Sequence, residues 1–278
     1  MTSDMAFQYF SKNGEVLPIS DAVIPLSSIE YQYGFGVYET IRVSNKLAYF
    51  VVDHIERLGE SARIIGLEHQ FTGEQIQKSI AELIKKNKVE SANIKVLLIG
   101  ATKKEDSQLF IICLNPLFPD KKLYREGASF VTYNYVRAFP HAKTLNMLQS
   151  YLAYKKAKES GAYDALLINN EGCITEGTRT NFFCINGKTI ISPREDEILL
   201  GVTRKAVLHV AKENGYEVEE RDITWGDLEK CDGAFVTSTS SKIIPIRKID
   251  DLEFRGPAAL QELMKLFDLF LDTCEGEI

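Results

Sequence analysis

The chain has 278 residues, of which 45% are hydrophobic and 26% are charged, as in ordinary folded proteins. This composition excludes a disordered, collagen-like or coiled-coil protein, and at roughly 150 residues per domain the length allows one large domain or two modest ones. The 33 Lys and Arg residues against 39 Asp and Glu residues give a net charge of −6, so we do not expect binding to nucleic acid.

The sequence has no apolar run of about 18 residues, so no membrane-spanning segment is predicted. Residues 1–7 lack a basic stretch followed by an apolar one, so no secretory signal is predicted either. The five cysteines include no Cys-x-x-Cys pair, and the four histidines are dispersed. We therefore expect reduced thiols, a cytoplasmic location and no metal centre.

The N-terminal part is predicted to begin with β-structure. A short apolar run ends before Asn13-Gly14, a dipeptide typical of a hairpin turn. Residues 37–43 alternate between apolar and polar types, and residues 47–51 are the expected antiparallel partner. Gly34 and Gly36 precede this strand without the third glycine of a dinucleotide-binding fingerprint, so they predict a tight turn.

Two helices are predicted next, followed by two strands. Apolar residues recur at helical spacing over 55–65, and Gly66 is the expected end of that helix. A second helical pattern begins at Thr72. Residues 93–99 and 109–114 are predicted strands that complete this part of the chain.

A domain boundary is predicted where two prolines and a charge cluster occur together, within residues 115–122. We accordingly predict a smaller N-terminal domain over 1–114, a linker over 115–123 and a larger C-terminal domain over 124–278.

The C-terminal part is predicted to contain a strand at 128–139 and a helix at 150–160. Three closely spaced strands with asparagine–glycine turns then favour an antiparallel meander over parallel crossovers. Thr203 is expected to cap a helix, and 234–236 is predicted as the last strand, leading into the hydroxyl-rich run 237–241. The predicted fold class is α+β with two domains.

Several polar motifs become informative when their order along the chain is considered. Taken singly, a lysine such as Lys143 or a carboxylate such as Glu176 is usually a surface residue. Together, the ordered motifs resemble the class IV aminotransferases, pyridoxal-phosphate enzymes of the branched-chain and D-amino acid aminotransferase type, which include aminodeoxychorismate lyase. The residues that carry the resemblance are 31–39, 54–58, Lys143, 175–181, 201–204 and 243–245.

The resemblance implies a two-domain fold-type IV enzyme with antiparallel-rich sheets and flanking helices. It implies that Lys143 forms a Schiff base with pyridoxal 5'-phosphate and then carries the proton of the reaction. It also implies that Glu176 faces the pyridine nitrogen, where a carboxylate keeps the ring protonated. The other implied cofactor contacts are Arg57, Leu199, Val202, Thr203, Ser238 and Thr239, and the implied substrate contacts are Tyr31, Ser240 and Ser241.

Two activities stay open at this point. One is transfer of an amino group from an amino acid, branched-chain-like or of D configuration, to a 2-oxo acid. The other is lyase chemistry that releases p-aminobenzoate and pyruvate. The strand at 95–99 is not followed by the arginine and histidine of D-amino acid enzymes, and Met147 and Leu148 replace the asparagine–tyrosine pair usual in branched-chain members.

A non-catalytic binding protein is a third possibility, but a passive scaffold would need neither Lys143 nor Glu176. The resemblance further implies a homodimer, in which Tyr31 serves its own site or that of the neighbouring subunit.

Overall fold

The computed structural model describes residues 7–116 and 118–274. Residues 1–6 and 275–278, which the domain prediction includes, lie outside the described residues. The chain forms two compact units, and the division along the chain falls inside the predicted linker. The first unit contains 7–116 and also Ala142–Asn146, a segment that the prediction assigned to the C-terminal domain. The second unit contains Phe118–His141 and Met147–Cys274.

The first unit is an antiparallel six-stranded sheet with the strand order β2-β1-β6-β5-β3-β4. Its strands are β1 (Tyr9–Lys12), β2 (Glu15–Pro18), β3 (Gly36–Ser44), β4 (Leu47–Ala48), β5 (Ala92–Ile99) and β6 (Gln108–Leu114), and its helices are α1 (Ile29–Tyr33), α2 (Val51–Ile64) and α3 (Gly73–Asn87).

Alternation along the strands gives this sheet two different faces. Alternate residues of β3, β5 and β6 pack with α2 and α3 into the main core of the unit. The opposite face carries a smaller apolar cluster that includes Phe10, Phe110, Tyr31 and Leu145.

Most of the local predictions for this unit are confirmed. Asn13 and Gly14 have φ values of 52° and 89°, as the hairpin turn requires. Thr72 caps α3 in a capping box with Gln75, and Gly66 follows α2 with φ 69°. The strand predicted over 47–51 is wrong beyond Ala48, because Phe50 adopts a left-handed conformation and α2 begins at Val51.

The second unit is built on a nine-stranded sheet with the order β12-β11-β10-β13-β14-β7-β8-β9, in which β15 pairs with β14 and β9 also pairs with β10. Its strands are β7 (Ala128–Asn134), β8 (Asp164–Ile168), β9 (Ile174–Gly177), β10 (Asn181–Asn186), β11 (Thr189–Ser192), β12 (Glu217–Glu220), β13 (Gly233–Ser238), β14 (Lys242–Ile249) and β15 (Leu252–Glu253). Its helices are α4 (Lys121–Glu126), α5 (Leu148–Glu159), α6 (Val202–Glu213), α7 (Trp225–Leu228) and α8 (Ala258–Thr273).

The antiparallel meander from β8 to β11 is confirmed, although β7 pairs in parallel with β8 and β14, and β11 pairs in parallel with β12. The strand predicted at 128–139 ends at Asn134. Thr203 is not a cap, because the extended residue before α6 is Gly201 and Thr203 lies inside the helix. Residues 234–236 are not in the last strand, since β14 and β15 follow them. The sequence analysis did not predict β14, because a proline such as Pro245 is uncommon inside a strand.

No helix in the described parts of the chain is both long enough and apolar enough to cross a membrane. The prediction of an α+β fold with antiparallel-rich sheets and flanking helices is confirmed.

Candidate functional site

Lys143 lies on a short extended segment that pairs with the start of β3. Tyr38 N donates a hydrogen bond to Lys143 O at 2.9 Å, and Leu145 N donates to Gly36 O at 2.9 Å. From the other side, Lys143 N donates to Ser61 Oγ on α2 at 3.1 Å. Three hydrogen bonds thus fix the backbone from which the Lys143 side chain extends.

Gly36 is what allows this close approach. A Cβ atom at position 36 would lie 2.8 Å from Leu145 Cδ1 and 2.8 Å from Leu98 O, closer than real Cβ contacts. Gly34 ends α1 in the left-handed conformation, with φ 67°. The two glycines therefore form the tight turn that the sequence predicted, and they make room for the segment that carries Lys143.

The Lys143 amine faces an aromatic ring. Its Nζ atom is 4.8 Å from the centroid of the Tyr38 ring, and Lys95 Nζ is 3.5 Å from the same centroid. The negative face of an aromatic ring attracts a cation, so Tyr38 favours this position for both ammonium groups.

Next to Tyr38 on β3, the buried carboxylate of Glu39 binds two side chains of α2. Arg57 Nε lies 2.7 Å from Glu39 Oε1 and an Arg57 Nη atom lies 2.8 Å from Oε2. His54 Nδ1 is 2.7 Å from Glu39 Oε2. Burial alone would raise the pKa of Glu39, but Arg57 and His54 outweigh it and hold that pKa well below its usual range.

His54 is fully buried, and burial lowers its pKa. Glu39 opposes this shift, whereas the positive charges of Arg57 and Lys143 add to it. A neutral His54 donates through Nδ1, because the ionised carboxylate of Glu39 can only accept. Its Nε2 atom has no hydrogen-bond partner among the residues that the structure describes.

Tyr31 also belongs to the first unit. Its hydroxyl donates to Gln108 Oε1 at 3.0 Å, and its ring packs edge-on against Phe110. Burial, together with the charge of Glu30, raises the pKa of Tyr31, so the hydroxyl stays protonated and available as a donor.

In the second unit, Glu176 at the end of β9 is buried and held from two sides. Arg137 Nε lies 2.7 Å from Glu176 Oε1, and Leu199 N donates to Oε2 at 3.2 Å. An arginine partner compensates the burial of the carboxylate charge, and removing either partner would leave a buried charge. Sequence analysis missed Arg137, since a single arginine beyond the end of a strand carries no recognisable pattern.

The N-terminus of α6 lies next to Leu199. Asn181 Nδ2 donates to Leu199 O at 2.7 Å, and a Cβ atom at Gly201 would overlap Asn181 Oδ1. No side chain in the described ranges caps this helix, so the N–H groups of Val202 and Thr203 are not bound by a cap. Such an end of a helix is suited to an anion. Asn181 stands in the 175–181 motif but was not assigned a role.

The hydroxyl-rich run forms the turn between β13 and β14. Ser238 Oγ and Ser241 Oγ lie 2.5 Å apart, and Ser241 N donates to Ser238 Oγ at 3.2 Å. Thr239 and Ser240 are the half-buried residues of this turn. The Ser238 hydroxyl, which sequence analysis assigned to the cofactor, is thus already bound to Ser241.

Two polar groups result, one in each unit. In the first unit, Lys143, Arg57 and Glu39 all act on the pKa of the buried His54, so the four residues are electrostatic neighbours around that imidazole. The second unit brings Glu176 next to Leu199 and the start of α6. Over residues 7–116 and 118–274, no cluster of three or more His, Cys, Asp or Glu residues is arranged to hold a metal ion.

Comparison with known proteins adds to this geometry. A family model described as amino-transferase class IV matches residues 36–249. D-alanine aminotransferase from Bacillus licheniformis is 32% identical over 248 residues, which cover 86% of this chain and 87% of that protein.

Solved structures agree over nearly the whole chain. A branched-chain aminotransferase from Thermoproteus uzoniensis with norvaline has a TM-score of 0.86 and 27% identity, with 94% of both chains covered. A T.th. branched-chain amino acid aminotransferase with pyridoxamine 5'-phosphate has a TM-score of 0.87 and 26% identity, covering 96% of this chain and 93% of that one.

Proposed function

Because this chain belongs to the class IV aminotransferase family, we propose that its two polar groups serve one pyridoxal 5'-phosphate in an amino-group transfer reaction. The family, the fold type and the enzyme class predicted from the ordered motifs are confirmed. The aminotransferase interpretation is favoured over the lyase alternative, since the relatives with the most similar sequences are named as aminotransferases. A putative 4-amino-4-deoxychorismate lyase with 28% identity is also among the structural matches, so the lyase reaction is the one to test against.

The observation that carries the cofactor proposal is the buried pair of Glu176 and Arg137 beside the uncapped start of α6. The Glu176 carboxylate suits a protonated ring nitrogen, and helix N–H groups suit a phosphate. Arg57 offers a guanidinium for the same phosphate and Lys143 offers an amine for the aldehyde. The further proposed cofactor contacts are Leu199, Val202, Thr203, Ser238 and Thr239.

When bound, the cofactor withdraws electrons from the substrate carbon and so weakens the adjacent C–H bond. Lys143 Nζ is proposed to hold the cofactor and, once the amino acid has displaced it, to take and return the proton. Its main chain is fixed by hydrogen bonds with Tyr38 and Ser61, and that of nearby Leu145 by one to Gly36, so only the Lys143 side chain has to move. Glu176, fixed by Arg137 and Leu199, keeps its negative charge at one place throughout.

The proposed substrates are an amino acid and a 2-oxo acid. The names of the similar proteins support two donor classes, D-alanine and branched-chain amino acids. The proposed substrate contacts are Tyr31, Ser240 and Ser241. A requirement for the 2-oxo acid distinguishes this reaction from lyase chemistry, which turns over without an acceptor.

The first experiment compares wild type, Lys143→Ala and the exposed-lysine control Lys46→Ala after purification with pyridoxal 5'-phosphate. We expect a pH-sensitive absorbance band at roughly 300–500 nm in wild type and in the control only. Addition of D-alanine or L-leucine without an acceptor should change that band for the true donor. A wild type without the band would overturn the cofactor proposal, and an equal band in Lys143→Ala would exclude Lys143 as the anchor.

We further propose that the chain forms a homodimer and works in the cytoplasm. Residues 22–33, here called the 22–33 segment, expose Val23, Leu26, Ile29 and Tyr33. Large apolar side chains grouped in this way are typical of an interaction surface. The five cysteines are free thiols, consistent with a reducing compartment.

A further inference from the structure

The turn between β9 and β10 presents one charged side chain from a rigid frame. Its two threonines, Thr178 and Thr180, are buried, whereas Arg179 between them is exposed. Thr178 Oγ1 donates to Asp164 Oδ1 at 2.5 Å, and Gly177 N donates to Thr180 O at 2.8 Å. The backbone of Arg179 is therefore fixed by its neighbours on both sides.

The guanidinium of Arg179 rests on an aromatic ring and forms no ion pair within the described residues. Its Cζ atom is 4.4 Å from the centroid of the Tyr154 ring on α5. Within residues 118–274 no carboxylate pairs with it, whereas the nearby Arg137 is paired with Glu176. Stacking on one face restrains the plane of a guanidinium while its N–H edge stays able to bind a planar anion.

Arg179 also lies close to the hydroxyl-rich run. Burial raises the pKa of Tyr163, and a hydrogen bond from Ser241 and the charge of Arg179 both oppose this shift. The Asp164 carboxylate and Tyr154 are further electrostatic neighbours of the same phenol. Tyr154, Tyr163, Arg179 and Ser241, here called the Arg179 cluster, are thus one local group.

The strand register ties this cluster to Glu176. Asn181 and Glu176 are partners across the β9–β10 pair, so Arg179 extends from the tip of a hairpin whose base is Glu176. Arg179 and Glu176 thus belong to one hairpin, and the carboxylate that responds to the charge of Arg179 is the buried Asp164, whose pKa that charge lowers against the effect of burial.

We propose that Arg179 binds a carboxylate of the amino acid and 2-oxo acid substrates through its guanidinium edge, with Tyr154 holding the guanidinium plane. The inference rests on the proposed function and names the specificity-determining residue of that site. A guanidinium matches a carboxylate with two parallel hydrogen bonds, so it selects acids over neutral analogues.

The test uses the enzyme loaded with pyridoxal 5'-phosphate and two unreactive probes, 4-methylvalerate and its neutral amide. Affinities are measured by calorimetry for wild type, Arg179→Gln and Arg247→Gln, the last being an exposed arginine of the same unit on β14. We expect Arg179→Gln to bind the acid about 10- to 100-fold more weakly and the amide equally well. Arg247→Gln should match wild type for both probes.

A second measurement follows the reaction with the amino acid donor. Arg179→Gln should raise KM for that donor while the Lys143-dependent absorbance band stays unchanged. Unaltered acid affinity in Arg179→Gln would overturn the inference, and so would an equal loss for acid and amide, which indicates a structural effect. These outcomes differ from failure of the proposed function, in which wild type itself lacks the band.

Discussion

At the scale of single residues, Glu39 supports the first unit's polar network by binding two side chains at once. Both of its oxygens bind Arg57, and one of them also binds His54. The carboxylate is almost completely buried, so these two side chains and the Thr40 N–H, which donates to Oε2 at 3.2 Å, replace water around its charge. Glu39 thereby sets the orientation of the guanidinium that we assign to the phosphate.

Replacing Glu39 by Gln should destabilise the protein by about 3–5 kcal/mol, because the charge of Arg57 loses its partner. The pKa of Glu39 is lowered in the folded state, so its stabilising effect is present above its unfolded pKa and is lost as pH falls through the folded pKa. Urea unfolding of both proteins should therefore give a difference that is full at neutral pH and shrinks in acid.

The matched control is Glu60→Gln, which removes the exposed partner of Arg63. An exposed pair contributes little to stability because water screens it, so this variant should stay close to wild type at every pH. Equal losses in the two variants would contradict the role given to Glu39.

Sequence order was sufficient to propose Lys143 and Glu176 as site residues, because each stands in a motif of recognisable composition. It was not sufficient for Arg137 or Asn181, whose importance comes from what they contact. Arg137 pairs with Glu176 only after β7 and β9 have taken their places in one sheet, and no local pattern records that pairing.

At the scale of secondary-structure elements, the start of β3 has two partners. On one side it pairs with β5, where Gly36 lies opposite Ile99. On the other side Val37 is the bridge partner of Thr144, next to Lys143. The absence of a side chain at Gly36 lets both partners approach the same backbone.

Gly36→Ala should therefore weaken the attachment of the Lys143 segment. We expect a loss of about 1–3 kcal/mol in unfolding free energy, typical of overpacking, and weaker binding of pyridoxal 5'-phosphate in an absorbance titration. Gly59→Ala in α2 is the control, because a Cβ atom there meets nothing within 4 Å. It should be neutral or stabilising by up to ~1 kcal/mol, and normal cofactor binding by Gly36→Ala would contradict the expectation.

Elements with strong local signals were predictable, and those that depend on tertiary contacts were not. The capping box at Thr72 and the turn at Asn13-Gly14 are encoded locally. Pro245 argues against a strand, yet β14 is a central strand because β13 and β7 pair with it on either side. A local sequence pattern does not indicate which strands will pair with a given segment.

At the scale of the whole molecule, the 22–33 segment is the surface that we assign to the homodimer. Leu26 has 92% of its surface exposed in the single chain, which is unfavourable for so large an apolar side chain unless another surface covers it.

Leu26→Glu should shift the protein from dimer to monomer in sedimentation equilibrium, because a charge would have to be buried in the interface. Leu269→Glu on α8 changes another exposed leucine, 62% exposed, and should leave the assembly unchanged. A monomeric wild type, or an intact Leu26→Glu dimer, would count against this surface.

Prolines and charges predicted a linker over 115–123, and the boundary between the two units along the chain falls within that range. The placement of Ala142–Asn146 in the first unit could not be predicted in this way. It depends on hydrogen bonds between residues that are far apart in sequence, such as Tyr38 and Lys143.

That returning segment has a consequence for the order in which the protein folds. Long-range pairings form slowly, because loop closure must precede the contact. On the ribosome, the chain through β6 emerges before Lys143. The first unit is therefore complete only after Ala142–Asn146 has also been synthesised. The proposed covalent anchor is therefore added late, and nascent chains that end before residue 143 lack the amine that we assign to the cofactor.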